Sequence, residues 1–430
     1  MSISTFREKG LLQGDMVLWM IFLLLCMVSV VEVYSASSSM TYKSGNFWKP
    51  VMEHAGYITF GILLAWGMHL LPCKIYKIGS VFFLFLSWIL LLVALLSNGV
   101  NDAHRWISIF GKTIQPSEFA KLGLVVTSAA ILSIFRDENG TSRMGTQLLI
   151  GFAAITLLPI VSENLSTAVL IGTVIYLMAF YAQVSTKLLA WVGGVIMALG
   201  IGGLTFCYSV PESKLQEWAD SDGIMHRLPT WVHRVTNHGV LPEDPEKYNI
   251  TENIQVTHAN IAVGTCGIIG RGPGNSIERD FLPQAYSDFI YAIIIEEGGI
   301  VAGMGVMFLY LLLLWRAMRI ANKCRALFPA YLIMGLSIMI VIQAMMNMAV
   351  AVGAMPVTGQ PLPLISRGGT STFVTCAYMG MMLAVSRNAK MVGDDDDIID
   401  DSIDESSMAE PAGESITEEP IKESTDESNN

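Results

Sequence analysis

Chemistry in this chain is to be sought where ionisable side chains stand inside or at the rim of long apolar runs. Asp288 lies at the lip of one such run, in FLPQAYSDFIYAIIIEEGG (281–299), and Glu296 and Glu297 lie about two turns deeper. A charge at membrane depth costs about 2.5–3.5 kcal/mol on insertion scales, so a carboxylate kept there marks a candidate functional site. Asp288, partly out of water and followed by apolar residues, has the setting of a general base, the group that takes the proton of an attacking hydroxyl. It equally suits the positive end of a helix dipole. For Glu296 and Glu297 a pore-like pair and a pair satisfied by polar groups elsewhere both stay open.

The cations that could face an anionic substrate come from three other stretches. Arg105 stands in AHRWISIFGKTIQPSEFAK (103–121), ahead of a helix start at Pro116 and Ser117. Glu118 falls in the first turn of that helix, and Lys121, three residues on, shares its face. The two form either a self-neutralised pair that lets the helix insert or, with Lys121 turned toward Arg105, part of a cationic pocket for a phosphate. GTCGIIGRGPGNS (264–276) holds Arg271 among glycines. Its backbone N–H groups could meet a phosphate, but it lacks the Gly-Lys-Ser/Thr ending of a nucleotide loop, and a close-packed loop is the simpler reading. Arg367 lies in PVTGQPLPLISRGGTS (356–371), where three prolines and three glycines predict a rigid, re-entrant connection. The histidines of the loops do not have metal-motif spacing, and the six scattered cysteines suggest neither a disulfide framework nor a zinc site.

The elements that must hold these residues are membrane helices. Of 430 residues, 52% are hydrophobic and 15% charged, and several apolar runs reach the length of a bilayer span, which excludes a soluble domain. Ten spans are expected, near residues 17–33, 51–71, 78–96, 117–135, 147–161, 165–182, 188–210, 288–314, 330–354 and 371–385. The first has no convincing cleavage site after it and is read as retained. With the N-terminus inside, thirteen Lys and Arg fall on inner segments and five on short outer loops, so both termini are expected in the cytoplasm. The large loop at 211–287 and Asp288 then lie outside. Within that loop, Leu228, Trp231, Val232 and Val235 recur at helical spacing, as in a helix lying in the interface, and a second helical stretch covers 253–263. The chain thus divides into an N-terminal segment (1–16), a membrane domain (17–390) and an acidic tail (391–430). The tail holds 15 Asp and Glu against one Lys, so the net charge of −11 hides a membrane part of +3. Its composition predicts disorder. No internal repeat is apparent, and no nucleic-acid partner is expected.

Taken together, VYSAS (33–37), AHRWISIFGKTIQPSEFAK, GTCGIIGRGPGNS, FLPQAYSDFIYAIIIEEGG and NMAVAVGAMPVTGQPLPLISRGGTS (347–371) resemble, in order, the motifs of the SEDS proteins (shape, elongation, division and sporulation). This is the bacterial FtsW/RodA/SpoVE family. The resemblance covers roughly residues 15–390 and is greatest to the cell-division branch, FtsW. It implies an all-α, ten-span SEDS fold with a large loop between helices 7 and 8. The implied activity is that of a peptidoglycan glycosyltransferase polymerising lipid II at the outer face of the cytoplasmic membrane, at the division septum. The implied partners are a class B penicillin-binding transpeptidase and other divisome proteins. The family's catalytic aspartate falls on Asp288, and its substrate-binding motifs fall on Arg105, Gln115, Ser117, Glu118 and Lys121, with Arg271 and Arg367 as further candidates. No cofactor is implied with certainty; a divalent cation, Mg or Mn, is compatible with the diphosphate. One departure stands out: where many members carry aspartate, this chain has Asn164, beside Glu163. The competing readings are a lipid II flippase or other transporter, an elongation-type polymerase, and a scaffold recruiting division proteins.

Overall fold

The computed structural model describes the chain apart from residues 1–12, 37–47, 98–105, 110–111, 139, 212–213, 216–217, 219–227, 237–249, 283–285 and 408–430. Arg105 therefore lies outside the described residues. In chain order the elements are α1 (Met16–Ala36), α2 (Trp48–His69), α3 (Cys73–Leu96), a hairpin of β1 (Ile107–Ile109) and β2 (Lys112–Ile114), and α4 (Pro116–Ile134). A two-residue pair, β3 (Arg136–Asp137) and β4 (Gly140–Thr141), leads to α5 (Arg143–Glu163), α6 (Leu165–Tyr181) and α7 (Thr186–Ser209). The large loop holds α8 (Leu228–Thr236) and α9 (Ile250–Thr265), and α10 (Ile290–Lys323), α11 (Leu327–Ala351) and α12 (Gly369–Ser407) complete the chain.

A helix stands at each of the ten places where the sequence predicts a span. Seven of them (α1, α3, α4, α5, α7, α10 and α11) are long and apolar enough to cross a membrane, and α6 is apolar but shorter. Helices are the natural solution, since a bilayer offers no water to satisfy backbone N–H and C=O groups. Burial ranks them. In their most apolar stretches α4 is 83% and α11 78% buried, whereas α7 is 6% buried, so α4 and α11 form the centre and α7 the periphery. An all-round apolar sequence suits both positions, since one is wrapped by protein and the other by lipid. Pro116 begins α4, where its missing N–H is no loss, and the Asn164 side chain accepts from the Thr167 N–H (3.2 Å) to start α6.

Segments expected on one side of the membrane meet one another. Asp15, before α1, accepts from Arg316 Nε (2.9 Å), near the end of α10, and its own N–H donates to Ser386 Oγ of α12 (3.0 Å). Arg387 donates to Leu70 O after α2, and Arg136 donates to Ala182 O after α6. All of these positions are expected at the inner ends of the spans.

One expectation needs correction. The eighth span is not one uninterrupted helix from Asp288: regular helix begins at Ile290, and α10 breaks at Gly299, which takes φ 72° and ψ −175°. A Cβ there would stand 2.2 Å from Ile268 O, so only glycine fits. The helix freed at this break is completed by the loop that follows α9. Arg271 N and Gly272 N donate to the Glu296 and Glu297 carbonyls (3.1 and 2.8 Å), while Ile300 N and Val301 N donate to Gly267 O and Ile268 O (3.3 and 3.4 Å). A broken helix at membrane depth is stable when its orphaned groups find such partners. The last helix, α12, is drawn from Gly369 to Ser407, and the rest of the acidic tail lies outside the described residues.

Candidate active site

The connection from α11 to α12 is the re-entrant loop that its prolines and glycines predict, and it is held almost carbonyl by carbonyl. Asn347 Nδ2 donates to Gln360 O (2.8 Å), Gln343 Nε2 to Pro361 O (3.0 Å), Tyr310 Oη to Pro363 O, and Ser29 Oγ to Ile365 O (2.7 Å). Leu362, Leu364, Ile365 and Ser366 are buried. Leu364 sits at φ 67°, a conformation a branched side chain adopts only when its surroundings over-determine it. Irregular backbone survives here because protein, rather than lipid, surrounds and satisfies it.

Asp288 lies in the turn just before α10, directly against this loop, and is half-buried. Its Oδ1 accepts from Ser287 Oγ (3.0 Å). Gly359, at φ 66°, is its neighbour: a Cβ there would stand 3.8 Å from Asp288 Oδ2. Arg367 flanks the same turn. Its N–H donates to Tyr286 O (2.9 Å), its guanidinium stands 5.7 Å over the Tyr286 ring, and its Nη2 donates to Glu53 Oε2 (3.0 Å). Burial pushes the Tyr286 phenol up, Arg367 opposes that, and Asp288 adds to it, as expected of three groups sharing one site.

Glu118 and Lys121 meet as a buried ion pair, Nζ to Oε1 at 2.7 Å, and Lys121 is fully buried. Lys121 Nζ also donates to Gln343 Oε1 (3.0 Å). This is the geometry of the self-neutralised pair, and Lys121 presents no face to solvent. Yet it joins the site by another route. Gln343 and Asn347 share one face of α11, and Gln343 reaches Pro361 O while Asn347 reaches both Gln360 O and Asp288 O (2.8 Å). Gln360 Nε2 in turn donates to Thr167 Oγ1 of α6 (2.7 Å). One continuous polar network thus runs from Lys121 to Asp288 through the re-entrant loop. Gln115 caps α4 without a side-chain bond, and Ser117 is buried beside Glu163 and Asn164 in a cavity of about 20 Å³, the room of one water.

Arg271 belongs to a second cluster. Glu296 Oε1 accepts from Ile277 N (3.0 Å), and its Oε2 accepts from Ser276 Oγ (2.5 Å) and Glu278 N (3.4 Å). Glu297 accepts from Gly274 N (2.9 Å), Ser276 N (3.3 Å) and Ser35 Oγ. Arg271 Nε and Arg279 Nη1 lie 3.8 and 3.9 Å from these carboxylates. The glutamate pair thus binds the backbone of the glycine-rich loop. Sequence reasoning passed over Gln343, Asn347, Gln360, Ser366 and Arg279. Two amides at i and i+4 inside the apolar ninth span were the signal available. Among the described residues no three His, Cys, Asp or Glu side chains converge in metal-ligand fashion.

Fold and site together define an all-α, multi-pass membrane protein with a carboxylate-centred polar site under a re-entrant loop. The chain belongs to the FtsW/RodA/SpoVE family of cell cycle proteins, whose family model matches residues 15–391. It is 31% identical over 391 residues to the "Probable peptidoglycan glycosyltransferase FtsW" of Halothiobacillus neapolitanus, covering 88% of each chain. It is 29% identical to stage V sporulation protein E of Bacillus subtilis (87% of this chain, 98% of that one). To the peptidoglycan glycosyltransferase MrdB of Escherichia coli it is 28% identical (90% and 97%). The fold is that of solved SEDS structures. A chain from a peptidoglycan synthase complex, studied for the coordination of polymerization and crosslinking, superposes with TM-score 0.68 at 21% identity (87% of this chain, 98% of that one). The rod-shape-determining protein RodA of Thermus thermophilus superposes with TM-score 0.58 at 21% identity (87% and 97%).

Proposed function

We propose that this chain polymerises lipid II into glycan strands at the outer face of the cytoplasmic membrane, and that it serves septal wall synthesis. The enzyme class, peptidoglycan glycosyltransferase, rests on the family and on the names its relatives carry. The division role rests on the FtsW names among them. The single observation that carries the chemistry is Asp288: a half-buried carboxylate at the end of the bundle, beside Arg367, with its backbone held by buried side chains. It accepts the proton of the acceptor GlcNAc 4-hydroxyl as that oxygen forms its bond to the anomeric carbon of the donor MurNAc. The bond from that carbon to the undecaprenyl diphosphate breaks, and the configuration inverts. Positive charge on nearby loops, Arg367 foremost, favours the departing diphosphate. An apolar groove of about 420 Å³ between α2, α3, α4 and α12, lined by Leu64, Met68, Phe82, Phe119 and Phe373, suits a polyprenyl chain. A class B penicillin-binding transpeptidase that crosslinks the product is the expected partner.

A transporter would draw on intramembrane carboxylates, and here Glu296 and Glu297 are taken up by loop backbone. The test is polymerisation of purified lipid II by the chain together with its transpeptidase, run beside a lipid-scrambling assay. Asp288→Asn is expected to abolish polymer while the protein stays folded and inserted. Polymer formed by Asp288→Asn, or scrambling without polymerisation by the native chain, would overturn the reading.

A further inference from the structure

Three successive carbonyls around Asp288 are each held by a different donor. Tyr286 O accepts from Arg367 N (2.9 Å), Ser287 O from Ser366 Oγ (2.5 Å), and Asp288 O from Asn347 Nδ2 (2.8 Å). This stretch is turn rather than helix, so its carbonyls have no regular intrahelical partners. The donors come from two elements, the re-entrant loop and α11, and are themselves pinned. Ser366 Oγ accepts from Leu362 N (2.7 Å), and Asn347 Nδ2 also donates to Gln360 O (2.8 Å). Asn347 is 1% and Ser366 3% exposed. An amide buried in an apolar span is unfavourable unless its bonds are used. Among the described residues Asn347 Oδ1 has no hydrogen-bond partner, so the donor half alone is at work.

We propose that Asn347 and Ser366 are positioning residues for the glycosyl transfer: they hold the Ser287–Asp288 backbone so that the carboxylate meets the acceptor hydroxyl at a fixed distance and angle. This rests on the reading of Asp288 as the base. Neither side chain touches the reacting atoms; each acts through the peptide that carries Asp288. The alignment of base and nucleophile is where small displacements count, since a shift of about 1 Å lowers turnover roughly 100-fold.

The experiment measures lipid II polymerisation by the full chain with its transpeptidase partner, for Ser366→Ala, Ser366→Thr, Asn347→Leu and Asp288→Asn. Ser366→Ala and Asn347→Leu are expected to lower kcat roughly 10- to 100-fold with KM within about twofold. Ser366→Thr, which keeps the hydroxyl, is expected to recover most of the kcat lost in Ser366→Ala. A merely structural role would lower the yield of folded protein and leave kcat per folded molecule unchanged. Should Asn347→Leu fail to fold, the Ser366 pair decides alone. Ser366→Ala within about threefold of native kcat, or Ser366→Thr as impaired as Ser366→Ala, overturns the proposal while the inactivity of Asp288→Asn leaves the function standing. Activity in Asp288→Asn instead removes the reading on which the proposal rests.

Discussion

Replacing Glu296 by Gln tests how the glycine-rich loop is held. The carboxylate is fully buried and accepts three bonds from the loop, from Ile277 N, Ser276 Oγ and Glu278 N, with Arg271 Nε 3.8 Å away. Gln keeps the shape, removes the charge and turns one acceptor into a donor. Either orientation of the amide leaves at least one loop N–H facing an N–H. Each charge-assisted bond falls from about 1.5–3 to about 0.5–1.5 kcal/mol, and the orphaned N–H adds about 1–3 kcal/mol. The loop should therefore be released by about 3–5 kcal/mol relative to the bundle. Since 1.4 kcal/mol is tenfold, protection of the amides at 274–278 against hydrogen exchange should drop by at least about 100-fold. Exchange read by mass spectrometry on the protein in nanodiscs reports this, with α11 as an internal reference that should not move. Protection at 274–278 within about threefold of native would refute the assignment of Glu296 as the loop's anchor.

Two further outcomes follow from the same packing. Lys121→Met should destabilise by about 3–5 kcal/mol because it leaves Glu118 buried and unpaired, and Glu118→Gln added to Lys121→Met should recover most of that loss. Thermal unfolding in detergent measures it, and additive losses in the double variant would argue against a coupled pair. Gly270→Ala places a Cβ 2.3 Å from Gly299 N and 2.4 Å from Glu297 O, at φ 77°, so it should expose the 267–272 segment to limited proteolysis while α4 and α11 stay resistant. A native cleavage pattern would show that the loop can retreat from the break without loss.

The places of the membrane helices were legible in the sequence because a run of about twenty apolar residues can lie in a bilayer only as helix. Rigidity of the 356–371 connection was legible for a similar reason, since prolines and glycines restrict the backbone locally. The role of Glu296 and Glu297 was not, because their partners, Gly274 to Glu278, lie about twenty residues away along the chain and meet them only where α10 breaks. For Glu118 and Lys121 the spacing predicted a shared face, whereas the choice between a pocket cation and an enclosed pair depended on α11, whose Gln343 takes up the lysine.

What the sequence by itself determined is therefore the set of helices, their order and the residue types able to do chemistry, all of which follow from local composition and period. Which of those residues share a site was decided by the tertiary structure alone. Side chains on α1, α10 and α11 support the re-entrant loop, and that loop, with α11, holds the turn carrying Asp288. Hydrogen bonds to irregular backbone carry no periodic signature. Their donors can come from any element that packs nearby, so the arrangement exists only once the helices have been brought together.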